Sequence, residues 1–528
     1  MTSHVLEETH ALLDAVAAEY HDDAVALRQL GDHSARLREP LRLAIAGMVK
    51  AGKSTLLNAI IGEEIAPTDA GECTKVITWY RHGATPRITM RVRGGDTRTL
   101  PVRRNDGQLV IDLGSTPAEE VERIEVEWPS SRLEDVTLID TPGIASLSKE
   151  VSARSAAFLT PEQAPSEADA IIYLMRHLHS ADLGFLSAFH DSAVGRSGTV
   201  NAMAVLSRAD EIGAGRIDAL LSARSIAERY RTDGALRSLA LDVIPIAGLV
   251  AQSARTLRQR EFDALRQIAR LGRQARERML VSVDRFVQVD AGIDVSPEDR
   301  RLLLERFGMF GIRLSSVVIR AGCDDSTELA DELYRRSGME DLLRLVSDQF
   351  RSRSDALKAR TAIASIRSLL ERHPTSHSPE LAGAVERLEA NAHELRELAL
   401  LSEARTVGVG LHPRQAAEAE RLIGGSGTSP PRRLGLPDDA RPEELHMAAS
   451  EALHRWRAMA GSPLLDRAAI EACQVVVRSC EALMMGIAPT SVEGGQLRLV
   501  LQPEPTIGLW DDAQRPADHR QRETGQNQ

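Results

Sequence analysis

This 528-residue sequence predicts an α/β domain on a mostly parallel, doubly wound sheet, followed by an elongated α-helical bundle. Three observations carry that expectation. An apolar, strand-like run (Leu41, Leu43, Ile45) feeds residues 44–58, which carry Gly47-x-x-x-x-Gly52-Lys53-Ser54 and open a helix-favouring run after it. From 41 to about 250, strand-like and helical runs alternate, and several strands are continuously apolar, as strands covered on both faces are. Beyond 250 the pattern is mostly helical, and 43% hydrophobic but only 3% aromatic residues suit aliphatic helix seams.

The loop spacing follows from phosphate chemistry. Glycines let the backbone curl until successive N–H groups point inward, and the helix that follows adds unpaired donors and its dipole. Lys53 then sets a cation on the outer phosphates, Ser54 offers a hydroxyl to Mg2+, and Gly47, Lys50, Ala51, Gly52 and Thr55 complete the cradle.

Taken in order, residues 5–36 read as a helix with Leu6, Leu12, Leu13, Val16, Tyr20 and Val25 near one face, docking on the C-terminal bundle or on the sheet domain. Strands are expected at 41–46, 76–81, 87–93, 122–127, 136–140, 170–174, 202–206 and 242–246, with inserted hairpins over 94–118. Gly308-Met309-Phe310-Gly311 interrupts the helical pattern, and 337–343 suits the last helix of the core. Leu381, Val385, Leu388, Ala392, Leu395 and Ala399 step 4-3-4-3-4, a coiled-coil-like seam within 352–404. Cys473, Val476, Cys480, Leu483 and Ile487 repeat the pattern within 443–488, so two long antiparallel helices joined by a Gly/Pro-rich loop at 406–442 are expected. The domains predicted are 1–38 (a helix joining the neck), 39–350 (nucleotide domain with a helical insertion after 250), 351–505 (neck and trunk) and 506–528 (a polar, disordered tail).

Composition narrows the partners. The net charge is −11 with no basic block, which disfavours nucleic acid. Cys73, Cys323, Cys473 and Cys480 show no zinc or redox spacing and read as reduced thiols. Neither a leader pattern nor a membrane-length apolar run is evident, so a soluble, cytoplasmic protein is expected.

Three downstream elements refine the ligand. Asp140-Thr141-Pro142-Gly143 ends a buried strand: Asp140 holds Mg2+ through water, and the Gly143 N–H senses the γ-phosphate. Thr74, in the loop before the second strand, would complete a Ser54–Thr74–Asp140 magnesium set and order that loop. Ser207-Arg208-Ala209-Asp210 has the form of a guanine-reading [NT]-K-x-D element with two substitutions. Asp210 would accept the guanine N1 and N2 hydrogens, the Arg208 stem would cover the ring, and Ala247 within Ile246-Ala247-Gly248 would give a backbone N–H to the guanine oxygen. The two substitutions leave adenine open as the alternative base.

Together these motifs resemble those of bacterial dynamin-like GTPases, nearest to the actinobacterial isoniazid-inducible type; the motif resemblance covers 40–250. The resemblance implies a P-loop GTPase of low nucleotide affinity that hydrolyses GTP with Mg2+, self-associates through its GTPase domains across the nucleotide, and carries a helical neck and trunk. It also implies membrane binding or remodelling, at the inner face of the cell membrane. A regulatory GTP switch, partner to a second dynamin-like subunit, is the alternative. The chain departs from the pattern at Val49 and Lys50, where dynamins usually carry Gln and Ser, and at Ile144, so no glutamine orients the attacking water. Lys50 either supplies as a built-in cation the charge that the dynamin serine recruits, or is a solvated loop lysine. For a membrane tip, 406–442 offers Val407, Val409, Leu411, Leu434 and Leu436 beside Arg414, Arg432 and Arg433, suited to an anionic lipid surface, or it is a solvated linker.

Overall fold

A computed structural model describes residues 4–67, 75–105, 107–144, 158–159, 166–192, 199–232, 234–288 and 293–487. The strands are β1 Leu41–Gly47, β2 Thr78–His82, β3 Arg87–Val92, β4 Thr97–Leu100, β5 Arg103–Asn105, β6 Gln108–Val110, β7 Val121–Trp128, β8 Val136–Asp140, β9 Ala170–Met175, β10 Ala202–Ser207 and β11 Val243–Ile246. Among the described residues nine of them form one sheet in the order β11-β10-β9-β1-β8-β2-β7-β3-β4. The half that carries the loop, β11 to β8, is wholly parallel. β2 then turns antiparallel against β8, β7 runs parallel to β2, and β3 and β4 extend the edge as antiparallel strands. The inserted hairpins expected at 94–118 are β3–β4 at that edge and the separate pair β5–β6.

The parallel strands sit at the sheet's centre because their residues are apolar on both faces. Ile45 and Ala44 of β1, and Ile172 and Ile171 of β9, face opposite cores, and all four are buried. Every Cβ direction at these positions leads into a core, so none of them is left for a polar side chain.

The N-terminal segment is two helices, not the single one expected: α1 His4–Glu19 and α2 Ala24–Arg38. Asp23 separates them, its carboxylate accepting from the N–H groups of Val25 (2.9 Å) and Ala26 (3.0 Å). That side-chain cap is worth about 1 kcal/mol and makes a helix start more favourable there than continuation. Val25 is consequently exposed, while Leu6, Leu12, Leu13, Val16 and Tyr20 are buried.

Between the strands lie α3 Lys53–Ile61, α4 Ser180–Ser192, α5 Ala219–Thr232 and α6 Gly234–Arg237. After β11 come α7 Gly248–Arg255, α8 Gln259–Arg270, α9 Arg273–Met279, α10 Val283–Gln288, α11 Pro297–Arg320, α12 Ser326–Arg336 and α13 Met339–Val346. Gly308 kinks α11, with φ +62° and ψ 174°, a backbone conformation that only glycine adopts readily.

The C-terminal helices are α14 Ser354–Arg372, α15 Ser378–Asn391, α16 His393–Thr406, α17 Pro413–Leu422, α18 Pro430–Leu434, α19 Pro442–Ala460 and α20 Arg467–Gly486. α14 receives the N-terminal pair: Tyr20 Oη donates to His373 O (2.5 Å), Gln29 Nε2 to Ser365 Oγ (2.8 Å), and Lys358 Nζ to Leu37 O (3.1 Å). The expected long helices are broken. Ala392, at ψ 105°, divides α15 from α16; Val385, Leu388, Ala392 and Leu395 are buried as the seam predicts, but Ala399 is exposed and Leu398, Leu400 and Leu401 are buried around it. α16 and α20 do run antiparallel: His393 meets Ser479 (3.1 Å), while Gly410 lies against Asp466.

The segment 406–442 is not the open loop expected. It folds into α17 and α18, burying Val409, Ala419, Leu422, Ile423 and Leu434. The carbonyls of Gly424 and Gly425 accept from Gln349 Nε2 (3.1 and 3.3 Å), and Ile423 O accepts from Arg353 (2.8 Å). Arg432 pairs with Asp348 (3.3 Å) and Arg433 with Glu397. Of the eight residues suggested for a membrane tip, Val407 (88% exposed) and Arg414 alone are open to solvent. The cause is packing: a set of apolar side chains this size gains more from burial against the bundle, at about 25 cal/mol per Å² of apolar surface, than from exposure.

Candidate functional site

The loop between β1 and α3 takes the geometry its glycines require. Gly47 has φ +149°, and a Cβ there would collide with Leu174 O of the neighbouring β9. Gly52, at φ +94°, is the cap residue of α3 and gives it no side-chain partner, so the first N–H groups of the helix carry no side-chain cap. Lys50 also adopts positive φ, +63°, which is rare and costly for a residue with a Cβ. Its side chain is exposed on the outer rim.

Lys53 folds back over the loop, its Nζ 3.3 Å from Gly47 O and 3.4 Å from Met48 O. Burial pulls its ammonium below the usual lysine range, with Asp140 opposing. Ser54 Oγ donates to Asp140 Oδ2 at 3.1 Å. Asp140 Oδ1 is buried with no hydrogen-bond partner among the described residues. Burial pushes the Asp140 carboxyl up to about 6 against the opposing pull of Lys53 and the Ser54 hydrogen bond. A desolvated carboxylate with one oxygen unsatisfied, beside a hydroxyl, fits a hard divalent cation such as Mg2+.

The Asp140 strand continues into the turn that covers the loop. Ile144 N donates to Gly47 O (3.1 Å) and Val49 N to Ile144 O (3.3 Å). A Cβ on Gly143 would stand 2.6 Å from Val49 Cγ2 and 2.9 Å from Val49 Cα, closer than real contacts come, so glycine is the residue that fits. Thr141 Oγ1 anchors the same turn to Ile45 O (3.0 Å). Thr74 lies outside the described residues.

On the other side of α3's N-terminus a cleft of about 140 Å³ is bounded by Gly52 and Thr55 on one wall and Ser207, Arg208, Asp210 and Gly248 on the other. Ser207 is buried and donates from Oγ to Met175 O (3.1 Å), a positioning bond to β9. Arg208 stands in the left-handed region, φ +52°, and opens the short turn that carries Asp210. Asp210 is buried, and burial pushes its carboxyl up to about 6. Ala247 is not at the cleft as expected. It is fully buried, and its N–H already donates to Ser337 O (3.0 Å); Gly248, the next residue, lines the cleft instead. Ser337 lies in the α12–α13 corner, where Gly338 takes φ +85° against Pro245 O, so this contact depends on chain far from the motif.

Sequence reasoning missed Arg176 and Glu211. Arg208 donates to Glu211 Oε1 (2.7 Å) and Arg176, just beyond β9, donates to Glu211 Oε2 (2.6 Å). The i,i+3 spacing of Arg208 and Glu211 was readable; the arrival of Arg176 from another strand was not. A larger cleft, about 650 Å³, lies between α5 and α13. It contains none of the loop residues, and four of its five arginines (Arg231, Arg336, Arg344, Arg432) are paired with carboxylates, so the smaller cleft, which touches the loop, is the candidate site.

Fold and loop define a P-loop nucleotide-binding protein. A sequence profile described as "Dynamin family" matches residues 43–184. The chain is 44% identical over 485 residues to isoniazid-induced protein IniC of Mycobacterium tuberculosis (strain ATCC 25618 / H37Rv), covering 90% of this chain and 98% of the relative. It is 29% identical over 170 residues to the bacterial dynamin-like protein of Nostoc punctiforme, covering 30% of this chain and 24% of that one. A solved structure titled "An oligomerised bacterial dynamin pair provides a mechanism for the long-range sensing and tethering of membranes" aligns with 91% of this chain and 74% of its own, at 12% identity and a TM-score of 0.29. The chain belongs to the dynamin family of GTPases. No helix among the described residues is long and apolar enough to cross a membrane.

Proposed function

We propose that this chain binds GTP with Mg2+ at the β1–α3 loop, hydrolyses it to GDP and phosphate, and couples the cycle to self-association through its GTPase domains. The observation that carries this is the Ser54–Asp140 pair, with its unsatisfied carboxylate oxygen, one residue from Lys53. Magnesium, when bound, would neutralise charge on the β- and γ-phosphates. Ser54 and Asp140 would hold it, with Thr74 as the third contributor. Lys53 leaves its carbonyl partners for the phosphates, and the α3 N-terminal N–H groups share the charge that spreads in the transition state. Asp210 reads the guanine edge, the Arg208 stem covers the ring, and Gly248 replaces Ala247 as the nearby backbone. Lys50, exposed at the rim, serves as the built-in cation; Lys50→Ser lowers turnover and makes it depend on added potassium, whereas unchanged turnover with unchanged potassium dependence refutes that role.

The packing of 406–442 favours a second reading for the cellular role: a partner of another dynamin-like subunit, without a membrane tip of its own. GTP turnover measured against protein concentration, with and without anionic liposomes, separates the two. Turnover that rises with concentration and again with liposomes supports a membrane-remodelling GTPase, and nucleotide-dependent partner binding with negligible turnover supports the switch.

A further inference from the structure

Arg208 stands two residues before the buried carboxylate of Asp210, on the same short turn. A guanidinium without a partner there would form a strong, two-pronged pair with a desolvated carboxylate. Guanine's N1 and N2 hydrogens would then have to displace it before they could be read. The guanidinium is instead committed elsewhere: Arg208 donates to Glu211 Oε1 at 2.7 Å. Glu211 in turn is fixed from the end of the adjacent strand β9 by Arg176, which donates to its other oxygen at 2.6 Å. Both carboxylate oxygens of Glu211 are therefore engaged, one by each arginine, and Glu211 N–H donates to Arg208 O (2.9 Å) to close the turn.

All three side chains are about half exposed, 50%, 39% and 45% for Arg176, Arg208 and Glu211. Ion pairs at that exposure add little to stability, about 0–1 kcal/mol. Their geometry matters more than their strength. We propose that Glu211 is a positioning residue for base recognition: held by Arg176, it keeps the Arg208 guanidinium off Asp210, so that Asp210 stays free to accept from the base while the Arg208 stem lies at the cleft. The arrangement explains how arginine replaces the usual lysine of this element. Arginine's planar fork competes for a carboxylate more effectively than an ammonium does, so it needs a committed counter-charge. This deepens, and rests on, the assignment of Asp210 as the guanine acceptor.

The test is competition of GTP and of ATP against a fluorescent GDP probe on the full chain, in Glu211→Gln, Arg208→Met, the double variant Arg208→Met/Glu211→Gln, and Asp210→Asn. In Glu211→Gln the freed guanidinium turns to Asp210, and GTP affinity falls about tenfold, the size of one charge-assisted hydrogen bond, while ATP affinity is unchanged. In the double variant no guanidinium remains to compete, and GTP affinity returns to that of Arg208→Met. A purely structural role for Glu211 does not produce that rescue. The proposal is overturned if Glu211→Gln binds GTP within twofold of the parent, or if the double variant is as weak as Glu211→Gln. Asp210→Asn separates the two layers: unchanged GTP affinity there overturns the base assignment itself, whereas lost affinity there with a neutral Glu211→Gln overturns the positioning role alone.

Discussion

Replacing Asp140 by Asn tests whether the site stores instability for its ligand. The Asp140 carboxyl is pushed from 3.8 up to about 6 in the folded chain. The folded state therefore holds that proton more tightly than the unfolded state, and stability falls as pH rises from below 4 through 6. A shift of this size corresponds to about 3 kcal/mol lost above pH 6, at 1.36 kcal/mol per unit. Asparagine imitates the protonated acid, so Asp140→Asn matches the parent below pH 4 and is more stable without ligand by about 2–3 kcal/mol at pH 7.5. Magnesium and GTP reverse the order, because binding stabilises the parent by RT ln(1 + [L]/Kd) and the variant no longer holds the metal. The assay is urea unfolding at pH 4.0, 5.5 and 7.5, with and without 1 mM magnesium and GTP. A gap between variant and parent that does not change with pH, or a variant that gains as much from magnesium and GTP as the parent, refutes the reasoning.

Gly143→Ala brings a Cβ against Val49 Cα and forces the turn off the loop; GTP turnover should fall at least tenfold while the melting temperature, by calorimetry, shifts little. Both Asp140 and Asp210 have carboxyls raised to about 6, so GTP affinity measured by titration should weaken on acidification through pH 6 and become pH-independent above pH 7. Glu397 is the opposite case. Although burial raises it, hydrogen bonds from His393 and Ser479 and the Arg433 guanidinium bring its carboxyl down to about 2. It contributes stability that is complete above its unfolded value of 4.5 and is lost as pH falls toward 2. Glu397→Ala leaves the Arg433 guanidinium without this carboxylate and should cost about 3 kcal/mol in urea unfolding at pH 7.

What could be read from the sequence divides along physical lines. The central strands were legible because a strand covered on both faces is apolar at every position, as Ile171–Leu174 and Met203–Leu206 are. The loop was legible because phosphate geometry fixes its glycines. Helix ends were less so. Asp23, a side-chain cap, went unread inside an apparently continuous helix, and the apolar period near Ala392 ran on past a real break. In 406–442 the prolines were read as interruptions. Pro413, Pro430 and Pro442 in fact open helices, where a missing N–H costs nothing. Contacts set by distant chain left no local trace: Ser337 O on the Ala247 N–H, and Arg176 on Glu211.

The central claim, that the curled backbone ahead of Lys53 holds a guanine triphosphate with magnesium, is tested most directly by calorimetric titration of GTP and ATP into the purified chain, with magnesium and with EDTA. Saturable GTP binding that needs magnesium and exceeds ATP binding at least tenfold is expected. No heat from GTP at millimolar concentration, or equal binding of the two nucleotides, contradicts it.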